Sequence, residues 1–490
     1  MSVVKVLYLS LPRIFAILDG VSVKCKEKKK TDMNIATVKR MALGVLGMAW
    51  TVAAAAQEVQ PGGVLTLTLD RAVEIALSDN PTVRIADMEV ERYDYVKGQT
   101  WGTLLPQVSV DGTYTRSVVK QEIAKGLSFG ADNSLAANAS LTLPLIAPQI
   151  WRTLKLNRAQ LESAVESARS SRITLVAEVK KAFYNILLAE QSLEVLRMSE
   201  RTVRTTVEDT QLKYKNGLAS EYDYLTAEVQ LSNLMPNIIQ TENSIRVAKM
   251  MLKMYLSLPE EVEVEVTGTL DGMHGEVDAR MELSTDLSEN SDLRALALQE
   301  QMLVRQLKVA NASRLPSIAA FASASYSGND LDRSSFGGFG GGMGDDAGTA
   351  SAIAKSSFYW QHPVSVGVQI SIPIFAGTTR MQQSRSIKNQ IAQIALQREY
   401  VRKQIDVQLQ SAINDLLTAR ATMNAQQKTV EQAAKACKIA DTRYQNQVGT
   451  MLELNSAQLA ETQARLSYSQ AIYDYLSARA EYEKILGRER

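Results

Sequence analysis

Residues able to do covalent or metal chemistry are scarce in this chain. His274 and His362 are the only histidines, and neither has a Cys or His at ligand spacing, so neither a metal centre nor a Ser/His/Asp triad is supported. Cys437 stands alone on a helical stretch and reads as an inert small residue. Gly342 to Ala347 satisfies a relaxed G-x-G-x-x-A, but it follows glycines rather than a strand and opens no helix. A flexible exterior loop fits better than a dinucleotide site. What remains is electrostatic: Tyr214 with Asp223 and Tyr444 with Glu453, each acid nine positions after its tyrosine across a short turn-forming centre. No cofactor is called for, and the chain does not read as an enzyme.

The elements that must place these pairs are helical hairpins. Tyr214–Ala227 reads YKNGLASEYDYLTA and Tyr444–Ala457 reads YQNQVGTMLELNSA, with turn centres at Asn216-Gly217 and at Asn446 to Gly449. Upstream, Pro148–Lys213 and Ala376–Arg443 contain no proline or glycine beyond their first few residues. Each predicts a helix of roughly 100 Å at about 1.5 Å per residue. Ile173, Val176, Phe183 and Leu187 make one stripe, and Ile405, Leu409, Ile413 and Leu416 another, the spacing of helices packed along their length. Ser220–Leu256 and Met451–Leu486 run back as shorter partners. Pro236 interrupts the first where the second has Leu466, which predicts a kink or break in one copy only.

From Met33 the sequence reads MNIATVKR, then an apolar run Met41–Ala55, then small residues before Gln57. That is the form of a secretory signal peptide cleaved after Ala56, with translation expected to begin at Met33 and residues 1–32 lying upstream. Removing 1–56 takes nine basic and three acidic residues from totals of 54 and 53, leaving a formal charge of −5. No basic excess remains to suggest nucleic acid as a partner. Cys437 is then the sole cysteine, so no intrachain disulfide can form, and no Cys near Gln57 offers a lipidation site. Past Ala56 no run of 18 apolar residues occurs. If the exported chain crosses a membrane, it must do so as a barrel.

The chain repeats. Asn80 and Asn290 stand 210 residues apart, as do Leu105-Pro106 and Leu315-Pro316; Pro144 and Pro373 differ by 229, and Tyr214 and Tyr444 by 230. An insertion of about 20 residues therefore falls between Leu315 and Pro373, in the Gly-, Ser- and Asp-rich interval Ser327 to Gln361, and should form a surface loop. Helices are expected over Asp70 to Thr103 and Asp292 to Ser313, with Pro259 to Ser291 joining the halves. This divides the chain into 1–56, a first repeat 57–258, a link 259–291 and a second repeat 292–490.

Four strands are expected. Val364, Val366, Val368, Ile370, Ile372 and Ile374 alternate with Ser365, Gly367, Gln369, Ser371 and Pro373. Gln107 to Ser117, Leu135 to Leu145 and Ser317 to Ser327 alternate less strictly. Each is about 10 residues, enough to cross a bilayer as a tilted strand, but eight strands are the usual minimum for closure. Several chains must contribute to a barrel, or else the strands form a soluble hairpin pair packed on a core.

LDRAVEIALSDNPTV at Leu69–Val83, the Leu-Pro before the strands at Gln107 and Ser317, the S-L-T-L-P-L and I-S-I-P-I-F strand endings and the Tyr-Lys-Asn-Gly-Leu-Ala-Ser tip together resemble a TolC-type outer-membrane efflux protein, the outer membrane factor family. The resemblance spans essentially the whole mature chain, in order and in duplicate. It implies a mainly α fold with a membrane β-barrel portion: a homotrimer in which four strands per chain make a 12-strand barrel, and long antiparallel helical hairpins form a hollow α-barrel across the periplasm. It further implies an outer-membrane exit duct for drugs, other small molecules or secreted protein. Such a duct is recruited by a periplasmic adaptor (membrane fusion) protein and an inner-membrane pump of RND or ABC type. A periplasmic coiled-coil scaffold without a channel is the alternative, and the four period-two strands weigh against it.

By the same resemblance, Asp223 and Glu453 are candidates for an acidic ring at a constricted entrance, with Tyr214 and Tyr444 as latch aromatics. Carboxylates repeated about a threefold axis would concentrate cations; acids at these places would also simply favour a helix amino terminus. Gly217, Ala219, Ser220, Gly449 and Thr450 are the candidate adaptor-docking positions. Where the family's second tip carries a further acid this chain has Ser456, and its tip glycine is replaced by Gln447. Phe358, Tyr359 and Trp360 precede the last strand and are candidates for an aromatic girdle facing outer-membrane lipid, or else pack within the long loop.

Overall fold

The computed structural model describes residues 64–119, 121–124, 127–129, 131–273, 283–331, 359–375 and 377–488. The expected signal peptide, His274, Phe358 and the glycine-rich run 338–347 lie outside these residues.

The chain enters on β1 (Val64–Leu67) and two helices, α1 (Leu69–Asp79) and α2 (Pro81–Gly102). The single helix expected over Asp70 to Thr103 is thus broken at Asn80. Pro81 has no N–H to continue α1, and Asn80 holds an extended backbone (ψ 127) while its side chain accepts from Thr82 N–H to start α2. β2 (Gln107–Arg116), β3 (Gln121–Ala124), β4 (Leu127–Phe129) and β5 (Ala131–Ile146) follow. Next come the 68-residue α3 (Pro148–Lys215) and the returning α4 (Glu221–Leu256). β6 (Glu263–Val266), inside the segment expected only to link the halves, pairs in parallel with β1, Val264 opposite Leu65 and Val266 opposite Leu67, and buries Val264 and Leu67. The later residues form α5 (Ser291–Ala312), β7 (Ser317–Leu331), β8 (Tyr359–Gln361), β9 (Val364–Ser371), the 67-residue α6 (Thr379–Gln445) and α7 (Met451–Leu486). β7 and β8 extend into the two edges of the interval read as an inserted loop.

Of the kink or break expected at Pro236, the break does not occur: α4 runs through it as one helix. Proline removes one hydrogen bond, to the carbonyl of Ser232, and both residues are exposed, so water can take that acceptor.

The four long strands pair antiparallel in the order β2-β5-β7-β9. Each continues into a helix, and the helices α2, α3, α5 and α6 lie side by side in the same order. Sheet and helical layer are one sequence of neighbours, with α4 laid on α3, and α7 on α6 and α3.

The apolar stripes of α3 and α6 turn inward near the middle of the long helices. There Phe183, Ile186, Leu252, Leu409, Leu416, Ile472 and Tyr475 share one core with Leu67 and Val264. Tyr475 and Phe183 are wholly buried in it. Two asparagines pin the core's edge. Asn80 Nδ2 donates to the Tyr255 carbonyl in the last turn of α4, and Asn290 Nδ2 donates to the Ile485 carbonyl in the last turn of α7, both at 2.7 Å. Each also caps a helix through its Oδ1: Asn80 bonds Thr82, while Asn290 bonds the amides of Asp292 and Leu293. Arg169 adds a polar clasp, donating to the Gly487 carbonyl at 2.7 Å and pairing with Glu166 at 2.8 Å.

Candidate functional site at the hairpin tips and sheet faces

Both hairpin tips close by the same backbone bonds. Gly217 N–H donates to the Tyr214 carbonyl at 2.9 Å and Leu218 N–H to Lys213 at 2.8 Å; Gln447 N–H donates to Tyr444 at 3.1 Å and Val448 N–H to Arg443 at 2.9 Å. This is the Schellman closure, which needs a left-handed residue just past the helix. Gly217 supplies it at φ +72°, and Gln447 at φ +60°. A side chain there costs about 1–2 kcal/mol against glycine's freedom. Gln447→Gly is therefore expected to tighten the second tip by about 0.5–1 kcal/mol after glycine's greater unfolded-state entropy is counted. Hydrogen exchange at the Val448 and Gly449 amides should slow several-fold, and faster exchange would show that the position carries no strain.

Returning helices start on side-chain caps. Ser220 Oγ accepts from Asp223 N–H at 3.1 Å while the Asp223 carboxylate accepts from Ser220 Oγ at 2.6 Å and from its N–H at 3.3 Å. Thr450 Oγ1 accepts from Glu453 N–H at 3.2 Å, and Glu453 reaches Arg443 at 3.6 Å. Both acids thus sit in the first turn of a helix. Gly449 backs onto Arg443, and Ala219 lies between the closure and the cap of the first tip.

The two tyrosines, alike in sequence, differ in neighbours. Tyr214 is half-exposed and stacks on Tyr224 of its own hairpin at 6.1 Å. Tyr444 crosses to α3: its hydroxyl lies 3.2 Å from Thr210 Oγ1 and Lys213 Nζ lies 4.5 Å over its ring. Where the first hairpin has Tyr224, the second has Leu454, buried with Met451 and Ala227 between the tips. Thr210, Lys213, Tyr224 and Arg443 were not singled out from the sequence; Tyr224 and Arg443 stand ten residues from Tyr214 and Glu453 across their own turns, whereas nothing local pairs Thr210 and Lys213 with Tyr444. Above the tips α7 meets α3 and α4 through polar groups: Gln458 Nε2 donates to Thr206 Oγ1 at 3.2 Å, Gln230 Nε2 to Gln458 Oε1 at 3.4 Å and Thr462 Oγ1 to Ser199 Oγ at 2.9 Å. Nearby, burial and the adjacent Glu461 push the buried Cys437 thiol up to about 12, which keeps it protonated and unreactive.

At the other end, strand register sorts the sheet into two faces. Val108, Val110 and Tyr114 align with Leu141, Ala139 and Leu135. These align in turn with Ala322, Ala324 and Gly328, and Val366 and Val364 complete the rows. This face is uncovered, with Val110 at 76% and Val366 at 77% exposure. The opposite face carries a polar ladder. Ser109 bonds Ser140 at 2.7 Å, Asn138 bonds Asp111 at 3.0 Å, Ser325 bonds Asn138 at 2.7 Å and Ser323 bonds Ser365 at 2.7 Å. Of the candidate girdle residues, Trp360 stacks on Tyr326 at 4.8 Å and covers Gly328 on the apolar face; Tyr359 contributes its backbone to β8. His362 lies exposed between β8 and β9. Among the described residues no helix is long and apolar enough to cross a membrane, and no cluster of His, Cys, Asp and Glu is placed to hold a metal.

A sheet with one uncovered apolar face, continued by helices of about 100 Å, defines the class of outer-membrane channel proteins. The chain belongs to the outer membrane efflux protein family, whose model matches residues 72–256 and 283–488. It is 21% identical over 393 residues to outer membrane protein TolC of Vibrio cholerae, covering 78% of this chain and 82% of that protein. It is 22% identical over 413 residues to the alkaline protease secretion protein AprF of Pseudomonas aeruginosa, covering 82% and 81%. The fold superposes on the Campylobacter jejuni CmeC outer membrane channel with a TM-score of 0.67 at 14% identity, covering 95% of this chain and 94% of that one. The protein is an outer-membrane efflux channel whose helices extend into the periplasm.

Proposed function

We propose that three copies of this duplicated chain close their four-stranded sheets into a 12-strand barrel, and their helical layers into a hollow periplasmic α-barrel. The assembly is a passive exit duct. The observation that carries this reading is the division of the sheet into an uncovered apolar face and a hydrogen-bonded polar one, which supports lipid outside and water within. A soluble scaffold would leave that apolar face in water. Four strands suffice because each copy supplies a third of the wall. An inner-membrane pump of RND or ABC type, coupled through a periplasmic adaptor docking near Gly217, Ala219, Ser220, Gly449 and Thr450, supplies the energy. This chain performs no catalytic step.

The gate lies at the tips. Asp223 and Glu453, repeated threefold, set cation preference, and Tyr444 holds the second hairpin against α3. The polar seam at Thr206, Gln458 and Thr462 gives the helices a contact that can exchange for water at little net cost, unlike the apolar core around Phe183. Trp360 and Tyr359 belong to the outer aromatic girdle.

Planar-bilayer recording tests the duct and the ring together. The purified trimer should conduct with cation preference, and Asp223→Asn with Glu453→Gln should weaken that preference while leaving the side chain at position 223 able to accept the cap hydrogen bonds and the Glu453 backbone cap untouched. Unchanged selectivity would reduce both acids to helix-start residues; a soluble, non-conducting monomer would sink the duct.

A further inference from the structure

Just beyond the sheet, three neighbouring helices carry one sign of charge. The first 14 residues of α3 hold Arg152, Lys155 and Arg158; residues 301–314 hold Arg305, Lys308 and Arg314; the first 14 of α6 hold Arg380, Arg385 and Lys388. None of these segments contains an Asp or Glu. The matching stretch of α2 is mixed, with Glu89 paired to Arg92 and Asp94 to Lys97. Arg158 and Arg305 share the single carboxylate of Glu162, at 3.5 and 3.9 Å. Between α3 and α5, Arg152, Lys155, Arg158, Arg305 and Lys308 line a groove of about 500 Å³ with Glu162 at its foot.

Position and face point to the ligand. Lys308 lies four residues from the end of α5 and Lys155 seven from the start of α3, so by helix rise these cations stand about 6–10 Å from the sheet-side ends of their helices. That is headgroup depth, since the polar layer is about 5–8 Å thick on each side of the hydrocarbon. Trp151, Lys155 and Arg158 recur at i, i+4 and i+7 on one face of α3. Trp151 is half-exposed and meets the half-exposed Trp101 edge-on at 5.6 Å, the kind of aromatic pair that marks a lipid–water boundary. On α6, exposed Met381 shares a face with Arg385 and Lys388 in the same way.

We propose that this cationic collar binds the phosphate groups of anionic phospholipids in the periplasm-facing leaflet and fixes how deep the protein sits. The inference rests on reading the sheet as the membrane-spanning part. Arginine forks match phosphate oxygens in pairs, and juxtamembrane cations each change anionic-lipid affinity by about fivefold.

The full-length protein would be reconstituted in phosphatidylcholine vesicles with and without phosphatidylglycerol. Retained lipid would be counted by native mass spectrometry after detergent extraction, and insertion followed by conductance. The wild type should retain phosphatidylglycerol in preference to phosphatidylcholine and release it as ionic strength rises. The combined variant Arg152→Gln, Lys155→Gln, Arg305→Gln, Lys308→Gln should lose at least about tenfold of that retention yet still conduct. Arg402→Gln, Lys428→Gln, Lys435→Gln, Lys438→Gln, an equal charge change on exposed sites farther along α6, should behave as wild type. Equal loss in both variants, or none in the first, would overturn the collar while leaving the duct intact. Displacement of lipid by inorganic phosphate, but not by chloride at equal ionic strength, would overturn the lipid assignment in favour of a soluble-anion site. Failure of the wild type to insert into either vesicle would overturn the membrane reading and the collar with it.

Discussion

Val366→Arg should abolish insertion of the protein, whereas Gln369→Arg, three residues along the same strand, should leave it intact. Val366 stands on the uncovered face opposite Ala322, in the row that also holds Leu141 and Val108. A guanidinium near the middle of a bilayer costs about 2–4 kcal/mol on the lipid side of a barrel. If three copies assemble, the penalty is about 6–12 kcal/mol per assembly on the same scale, comparable with the whole stability of an ordinary domain. Gln369 points to the face of the Ser323–Ser365 and Asn138–Asp111 bonds, where an added cation remains in water and should only shift ion preference. Folding into vesicles, read as a heat-sensitive oligomer resistant to protease, separates the two variants. Equal insertion would show that the apolar face does not meet lipid.

The apolar face was legible in β9 because a strict alternation from Val364 to Ile370 needs only local sequence to be seen. In β7 the same face is mostly alanine, Ala320 to Ala324, with Phe321 on the polar side over Gly367; there register against β5 and β9, not composition, assigns the faces. The long helices were equally plain, since Phe183 and Leu416 recur with their stripes at packing intervals and both are buried. What local pattern could not supply was partnership. Tyr214 and Tyr444 occupy the same turn of the same motif, yet only Tyr444 finds Thr210 and Lys213, because those lie on another hairpin. The β1–β6 pair joins segments about 200 residues apart through strands of four residues, too short to announce themselves. Pro236 leaves α4 unbroken for a different reason: its missing donor faces solvent, where a helix tolerates the loss.

Asn80→Ala and Asn290→Ala should each destabilise the protein by about 2–4 kcal/mol, a large effect for single residues outside the apolar core. Each asparagine is 5% exposed and does two jobs at once. Its Oδ1 starts a helix, α2 or α5, worth about 1 kcal/mol when removed. Its Nδ2 satisfies a carbonyl in the last turn of α4 or α7, at Tyr255 or Ile485, and a part-buried acceptor left bare costs about 1–3 kcal/mol. Aspartate separates the two jobs. Asn80→Asp keeps the acceptor that caps α2 but loses the donor and sets a negative charge against the carbonyl end of α4, where the helix dipole is already negative. It should therefore be nearly as damaging as alanine, although Asp is a good helix starter in isolation. The reading is a shift of the urea midpoint of the detergent-solubilised protein, with protease resistance of the α1–α2 junction as a second measure. An Asn80→Asp protein as stable as the wild type would mean that the bond to Tyr255 contributes nothing and that capping alone keeps the residue there. Equal losses at Asn80 and Asn290 would be the energetic counterpart of their matched geometry: at each site, one amide fastens the start of a strand-bearing helix to the end of a returning helix.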